Sequence, residues 1–121
     1  MPNPFVHVEL VTSDVAEAKS FYNGLFDWKF DDVEMAPGVT YTMIRVGEGT
    51  GGGMMKTPMP GVPTAWTPYV LVEDVVAATE KAKSLGARVV KEVTEVKDTG
   101  FFSIIVDPAG ATIGLWQSKA Q

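Results

Sequence analysis

The sequence predicts an α+β fold built from two copies of one βαβββ unit. A strand-like stretch, Phe5–Leu10, runs directly into a helix start at Asp14, and a similar stretch returns at Val70–Ala78. Asp14 and Asp74 stand sixty positions apart, and the same offset pairs Val15 with Val75, Ala18 with Ala78, Leu25 with Leu85, Ile44 with Ile104 and Val46 with Val106. A repeat about half as long as the chain indicates assembly from two related units.

Length and composition describe a single domain with an ordinary core. The chain has 121 residues, of which 45% are hydrophobic, and its net charge of −5 argues against a nucleic-acid partner. The sequence contains no cysteine, which excludes disulfides and thiolate chemistry. It shows no basic amphipathic or membrane-length apolar segment, and its N-terminus lacks the features of a signal peptide. We therefore expect no membrane partner and a cytoplasmic location.

The first unit begins with a strand followed by a capped helix. Along the strand, Val6, Val8 and Leu10 share one face, whereas the other face carries Phe5, His7 and Glu9. Asp14 followed by Glu17 is typical of a capping-box start. Helical spacing then predicts a buried stripe formed by Ala18, Phe21, Tyr22 and Leu25.

Three more strands complete the predicted first unit. The first of them begins at Trp28, the second spans Tyr41–Val46 and the third spans Met54–Lys56. In the middle one, alternation places Tyr41, Met43 and Arg45 on one face. The glycines of Gly47–Gly53 match the spacing of a dinucleotide-binding fingerprint, but the following prolines disfavour the helix that this function needs. We therefore predict a bend there.

A linker and a second unit of the same design follow. The linker is expected at about 57–64, because this stretch is rich in proline, which places module one at about 1–57 and module two at about 65–121. In module two, Asp74 should cap a helix that runs to about Leu85 and stops at Gly86. Strands are predicted at 66–72, 88–93, 101–106 and 112–116, with a tight turn at 107–110 between the last two.

Several of these stretches, taken in order, resemble the vicinal oxygen chelate superfamily, also called the glyoxalase, bleomycin-resistance and dioxygenase group. The resemblance rests on His7–Leu10 with Asp14, on Ala18–Tyr22 and Leu25–Trp28, and on Asp107–Gly110 with Ile113–Trp116. It implies paired βαβββ modules whose curved, mostly antiparallel sheets enclose a cleft. Members of this superfamily often dimerise, so the resemblance also implies a homodimer.

The resemblance also implies where a metal would bind in metal-dependent members. Those members take one ligand from the first strand and one from the last strand of each module, usually histidine or glutamate. The corresponding positions here, placed with the sixty-residue offset, are His7, Met54, Thr67 and Gly114. Only His7 is an ordinary ligand for a hard or borderline divalent ion, since methionine prefers soft metals and glycine has no side chain. We predict neither a catalytic metal nor another cofactor.

The candidate binding residues are the side chains expected to face the cleft. They are His7, Glu9, Tyr41, Met43, Arg45, Met54, Thr67, Tyr69, Phe101 and Trp116. An aromatic lining with a few polar groups suits a small organic molecule. The aromatic residues could equally fill the core or a dimer contact, and Arg45 could be a solvated cation at a strand end.

Three functional hypotheses follow. The first is a protein that binds a small organic molecule without a catalytic metal. The second is a metal-dependent lyase or dioxygenase that uses His7 and Glu9 as catalytic residues, and the third is a dimer-forming module with no small ligand. The poor set of metal ligands favours the first over the second.

Overall fold

The predicted α+β fold is confirmed. The structure, a computed structural model, describes residues 2–57 and 61–119. The first module contains β1 (Phe5–Thr12), α1 (Val15–Leu25), β2 (Lys29–Ala36), β3 (Val39–Arg45) and β4 (Gly52–Lys56). The second contains β5 (Ala65–Leu71), α2 (Val75–Ser84), β6 (Arg88–Val96), β7 (Gly100–Val106) and β8 (Thr112–Ser118). Both modules therefore have the predicted βαβββ order. Part of the expected linker, residues 58–60, lies outside the described residues.

The described residues divide into two compact units, the first within 7–67 and the second within 2–6 and 68–119. The first unit has the strand order β2-β3-β4-β1, in which only the β1–β4 pair is parallel. The second unit repeats this arrangement as β6-β7-β8-β5, with β5 and β8 parallel. The glycine-rich stretch before β4 leads into a strand and not a helix, as predicted.

Helix α1 starts where the sequence placed it, but it buries a narrower stripe. The Asp14 carboxylate accepts a hydrogen bond from the Glu17 backbone N–H at 2.9 Å, so the N-cap is confirmed. In a complete capping box the Glu17 side chain would accept a hydrogen bond from the Asp14 N–H. Here the Asp14 N–H donates to the Thr12 hydroxyl instead. The stripe facing the sheet consists of Val15, Ala18 and Tyr22. Phe21 and Leu25 lie on the flank and are 60% and 57% exposed, which corrects the prediction that they are buried.

Each unit has its own apolar core between its helix and its sheet. In the first unit, Leu10, Ile44 and Met54 form the buried centre beneath α1. In the second unit the centre is formed by Val75, Ile105 and Leu115 beneath α2. Helix α2 begins at the predicted cap, Asp74, and the Val75 N–H donates to the Gln117 side chain at 2.9 Å. Burial of these apolar side chains is the main driving force for folding of each unit.

The repeat offset changes along the chain. The N-caps keep the offset of sixty, but the core residues Ile44 and Met54 correspond to Ile105 and Leu115, which are sixty-one positions further on. The second hairpin, Arg88–Val106, is longer than Lys29–Arg45, and its register is irregular in β6. Because side chains alternate between faces along a strand, a slip of one residue exchanges the two faces in a prediction based on a constant offset.

Candidate functional site

Three polar side chains meet on the face of the first sheet that points away from α1. His7 and Glu9 project from β1, and Tyr41 projects from β3. The Tyr41 hydroxyl lies 2.7 Å from His7 Nε2 and donates a hydrogen bond to Glu9 Oε1 at 3.0 Å. The structure thus brings together the two predicted catalytic residues and one predicted ligand-binding residue through a single hydroxyl group.

This contact depends on the absence of a side chain at Gly53. Strand β4 lies between β1 and β3, and Gly53 is in register with Glu9 on one side and Met43 on the other. A Cβ atom at position 53 would stand 2.1 Å from the Tyr41 hydroxyl oxygen and 2.3 Å from its ring carbons. The Tyr41 ring therefore occupies the space that a side chain on β4 would fill, which lets its hydroxyl reach β1.

The protonation of the site follows from burial and from the hydrogen bonds. Burial removes water from the His7 imidazole and lowers its pKa below the ordinary value, so the ring is neutral at neutral pH. The Tyr41 hydroxyl donates to Glu9 Oε1, and its oxygen also lies within hydrogen-bond distance of His7 Nε2. One phenol hydroxyl thus contacts both the imidazole and the carboxyl group.

Two more predicted binding residues share this sheet face on β3. The Met43 side chain is 40% exposed and is in register with Gly53. Arg45 forms an ion pair with Asp31 on β2, with 2.5 Å between Nε and Oδ2, and its side chain is 74% exposed. Met43 thus supplies apolar surface beside Tyr41, whereas the guanidinium of Arg45 already has a carboxylate neighbour.

The Met54 side chain lies on the opposite face of the sheet from Tyr41, because Met54 follows Gly53 on β4 and successive side chains of a strand alternate between faces. Its side chain is fully buried in the core with Leu10 and Ile44, on the helix side of the sheet. The residue of β4 on the Tyr41 face is Gly53, and Gly53 is the structural counterpart of Gly114. Thr67 is half-buried in β5.

The second unit carries an aromatic face of its own. Tyr69 is 4% exposed, and a Cβ at Gly114 would stand 2.3 Å from its ring carbons. Its ring meets Phe102 edge to face, with centroids 6.2 Å apart, and Trp116 is in register with Phe102. Phe101 packs on the opposite face, against the core under α2, and so does not share the face of Tyr69. The sequence analysis did not name Phe102. Because Ser103 and Ile105 are buried on the helix side of β7, alternation along the strand places Phe102 on the other face, with Tyr69.

Comparison with known proteins identifies the family. The profile of the Glyoxalase/Bleomycin resistance protein/Dioxygenase superfamily matches residues 5–115. The chain belongs to this superfamily. It is 33% identical over 113 residues to "Putative glyoxylase CFP32" of Mycobacterium tuberculosis, covering 93% of this chain and 43% of that protein. It is 27% identical over 123 residues to "Anthracycline biosynthesis protein DnrV" of Streptomyces peucetius, covering 90% and 45%. The chain therefore spans about half the length of these relatives.

Solved structures of the superfamily fold agree with this assignment. A hypothetical protein, BH1468 from Bacillus halodurans C-125, superposes with a TM-score of 0.76 at 15% identity, covering 100% of this chain and 98% of that one. Methylmalonyl-CoA epimerase from Mycobacterium tuberculosis gives 0.70 at 18% identity, covering 96% and 88%. At these identities the likeness establishes the fold. None of the helices in the described residues is long and apolar enough to cross a membrane.

The residues of this superfamily member do not fit the divalent metal that the family resemblance implies. Across residues 2–57 and 61–119, no three His, Cys, Asp or Glu side chains are grouped so that they could hold a metal ion. The Nε2 atom of His7 and the carboxylate of Glu9 are both hydrogen-bonded to the Tyr41 hydroxyl. On the last strand of each module, Gly53 and Gly114 bear no side chain and face tyrosine rings.

Proposed function

We propose that this superfamily protein binds a small organic molecule on the sheet face of His7, Glu9 and Tyr41, without a catalytic metal. The observation that carries the proposal is the Tyr41 hydroxyl, which bridges His7 Nε2 and Glu9 Oε1. A bridge of this kind orders both side chains before a ligand arrives. Ordered polar groups beside apolar surface are typical of small-molecule sites.

The chemistry of the face favours a planar organic ligand with a hydroxyl group. Glu9 is a hydrogen-bond acceptor, so it suits a hydroxyl donor better than an anion. The exposed Met43 side chain offers adaptable apolar contact next to Tyr41, and thioether–aromatic contacts are favourable. The net charge of −5 disfavours phosphate-rich ligands. A phenolic compound satisfies these conditions.

The alternative function is a metal-dependent lyase or dioxygenase that uses His7 and Glu9. This function would require Tyr41 to leave its position, because its hydroxyl occupies one nitrogen of His7 and one oxygen of Glu9. It would also require ligands that Gly53 and Gly114 do not supply. The intact hydrogen-bond chain therefore favours the metal-independent function.

The relatives guide the choice of test compounds. Proteins of Streptomyces that are similar to this chain are named for anthracycline biosynthesis, so polycyclic hydroxyaromatic compounds are the first choice. Tyr69, Trp116, Thr67 and Arg45 stay predicted ligand-binding residues, and Trp116→Ala tests the second unit in the same assay. We also propose that the protein forms a homodimer and that it is located in the cytoplasm.

A thermal-shift screen of small aromatic compounds in the presence of EDTA tests this function. We expect at least one compound to raise the melting temperature, because a ligand that binds only the native state stabilises it. Tyr41→Phe removes the bridging hydroxyl and should reduce the ligand affinity at least tenfold, which corresponds to about 1.4 kcal/mol. Tyr22→Phe removes a different hydroxyl, which accepts a hydrogen bond from Trp66, and should leave the affinity unchanged.

Two results would count against the proposed function. A melting-temperature shift that disappears with EDTA and returns with a divalent metal would support the alternative enzyme. An equal response of the Tyr41→Phe and Tyr22→Phe variants would place the ligand away from the His7–Tyr41–Glu9 face.

A further inference from the structure

One oxygen atom stands between two side chains of the first module that could each bind a metal ion. The Tyr41 hydroxyl oxygen lies 2.7 Å from His7 Nε2 and 3.0 Å from Glu9 Oε1. Zinc bonds to imidazole nitrogen and to carboxylate oxygen at about 2.0–2.2 Å. A cation that joined His7 to Glu9 would therefore occupy nearly the same position as this oxygen.

The Tyr41 side chain reaches this position across a strand. Strand β4 lies between β3, which carries Tyr41, and β1. The ring passes over Gly53, where a Cβ atom would stand 2.1 Å from the hydroxyl oxygen. Any side chain at position 53 would push the ring away, so the bridge between His7 and Glu9 requires this glycine.

The second unit lacks both the bridging hydroxyl and the pair that it bridges. Strand register places Phe102 at the counterpart of Tyr41. It places Tyr69 at the counterpart of Glu9. Phenylalanine has no hydroxyl, and tyrosine has no carboxylate. The hydroxyl therefore occurs in the unit that has the His7–Glu9 pair, which ties its role to that pair and not to packing of the sheet.

We propose that the Tyr41 hydroxyl replaces a metal ion: it holds His7 and Glu9 together and keeps divalent cations away from them. The inference rests on the metal-independent site of the proposed function and names the residue that keeps metal out. To enter, a cation would have to break both contacts of the hydroxyl and displace the ring from Gly53. Without the phenol, the imidazole and the carboxylate form a two-ligand site for a divalent ion such as Ni²⁺, which imidazole suits.

Calorimetric titration with Ni²⁺ of protein that has no histidine tag tests the proposal. Tyr41→Ala removes the phenol and should bind Ni²⁺ at least tenfold more tightly than the unmodified protein does. His7→Ala in the Tyr41→Ala background should return the affinity to that of the unmodified protein, because it removes the nitrogen ligand. His7 is the single histidine of the chain, so broadening of its ring signals by paramagnetic Ni²⁺ reports binding at this residue.

Gly53→Ala tests the same proposal with the Tyr41 side chain retained. The new methyl group meets the far end of that side chain, which can rotate away, so the hydroxyl should leave His7 and Glu9. We expect this variant also to bind Ni²⁺ at least tenfold more tightly than the unmodified protein. Circular dichroism should show a native spectrum for each variant that is titrated.

The possible results separate clearly. A gain of Ni²⁺ affinity in either folded variant that disappears with His7→Ala supports the proposal. Unmodified protein that binds Ni²⁺ as tightly as Tyr41→Ala and Gly53→Ala, or no gain in either variant, would overturn it. The thermal-shift screen uses the unmodified protein in EDTA, so a failed Ni²⁺ titration leaves ligand binding standing, and a screen without a ligand leaves the Ni²⁺ result standing.

Discussion

Gly52→Ala should destabilise the protein by about 3 kcal/mol or more, because the new methyl group meets a backbone atom that cannot move alone. Gly52 on β4 is in register with Val8 on β1. A Cβ at position 52 would stand 2.2 Å from the Val8 carbonyl oxygen. Relief of this clash requires separation of β1 from β4, the parallel pair of the first sheet.

Gly24→Ala is the control for this substitution, and urea denaturation measures both. Gly24 lies within α1, and a Cβ there meets none of the described atoms within 4 Å. Alanine should therefore stabilise the helix by about 0.5–1 kcal/mol. Equal stability of the Gly52→Ala variant and the unmodified protein would show that β1 and β4 do not approach as closely as the structure has them.

Met54→Ala should cost about 2–5 kcal/mol of folding free energy, since it leaves a cavity in the core of the first unit. Met54 is fully buried between Leu10 and Ile44. The control is Met43→Ala, because Met43 is 40% exposed on the other sheet face. Its effect on stability should be within about 0.5 kcal/mol.

The same two methionine variants separate a structural role from a binding role. With thermal denaturation followed at increasing ligand concentration, Met54→Ala should lower the melting temperature and keep the ligand-induced increase. Met43→Ala should keep the melting temperature and reduce that increase. The reverse pattern would mean that the faces of β3 and β4 have been assigned incorrectly.

The sequence predicts the fold because the decisive signals are local. Asp14 and Asp74 accept hydrogen bonds from backbone N–H groups three residues ahead, which fixes both helix starts. Gly86 adopts φ = 101°, a backbone conformation that ends α2 and that other residues rarely adopt. The alternation along β3 correctly separates buried Thr42 and Ile44 from exposed Met43 and Arg45.

The proposed binding site is harder to predict because it depends on contacts between strands. The His7–Glu9 pair is visible in the sequence, but the bridge to Tyr41 crosses β4 and needs glycine at position 53. A constant repeat offset assigns Met54 to the wrong face, because the longer second hairpin shifts the correspondence by one residue. Phe101, which we expected to face the cleft, packs against the core under α2. Local sequence propensity does not determine loop length or strand register. A prediction based on the repeat pattern therefore does not detect the shift of one residue in the second hairpin.

The most direct test of the central claim is an NMR titration of the His7 imidazole. His7 is the single histidine of the chain, so in protein without a histidine tag its ring signals need no assignment. We expect a pKa below the ordinary value of about 6.5, because the buried ring is desolvated. The ring resonances should also shift on saturation with an aromatic compound that raises the melting temperature. A ring that titrates at or above the ordinary pKa and does not respond to that compound would contradict a ligand site at His7, Glu9 and Tyr41.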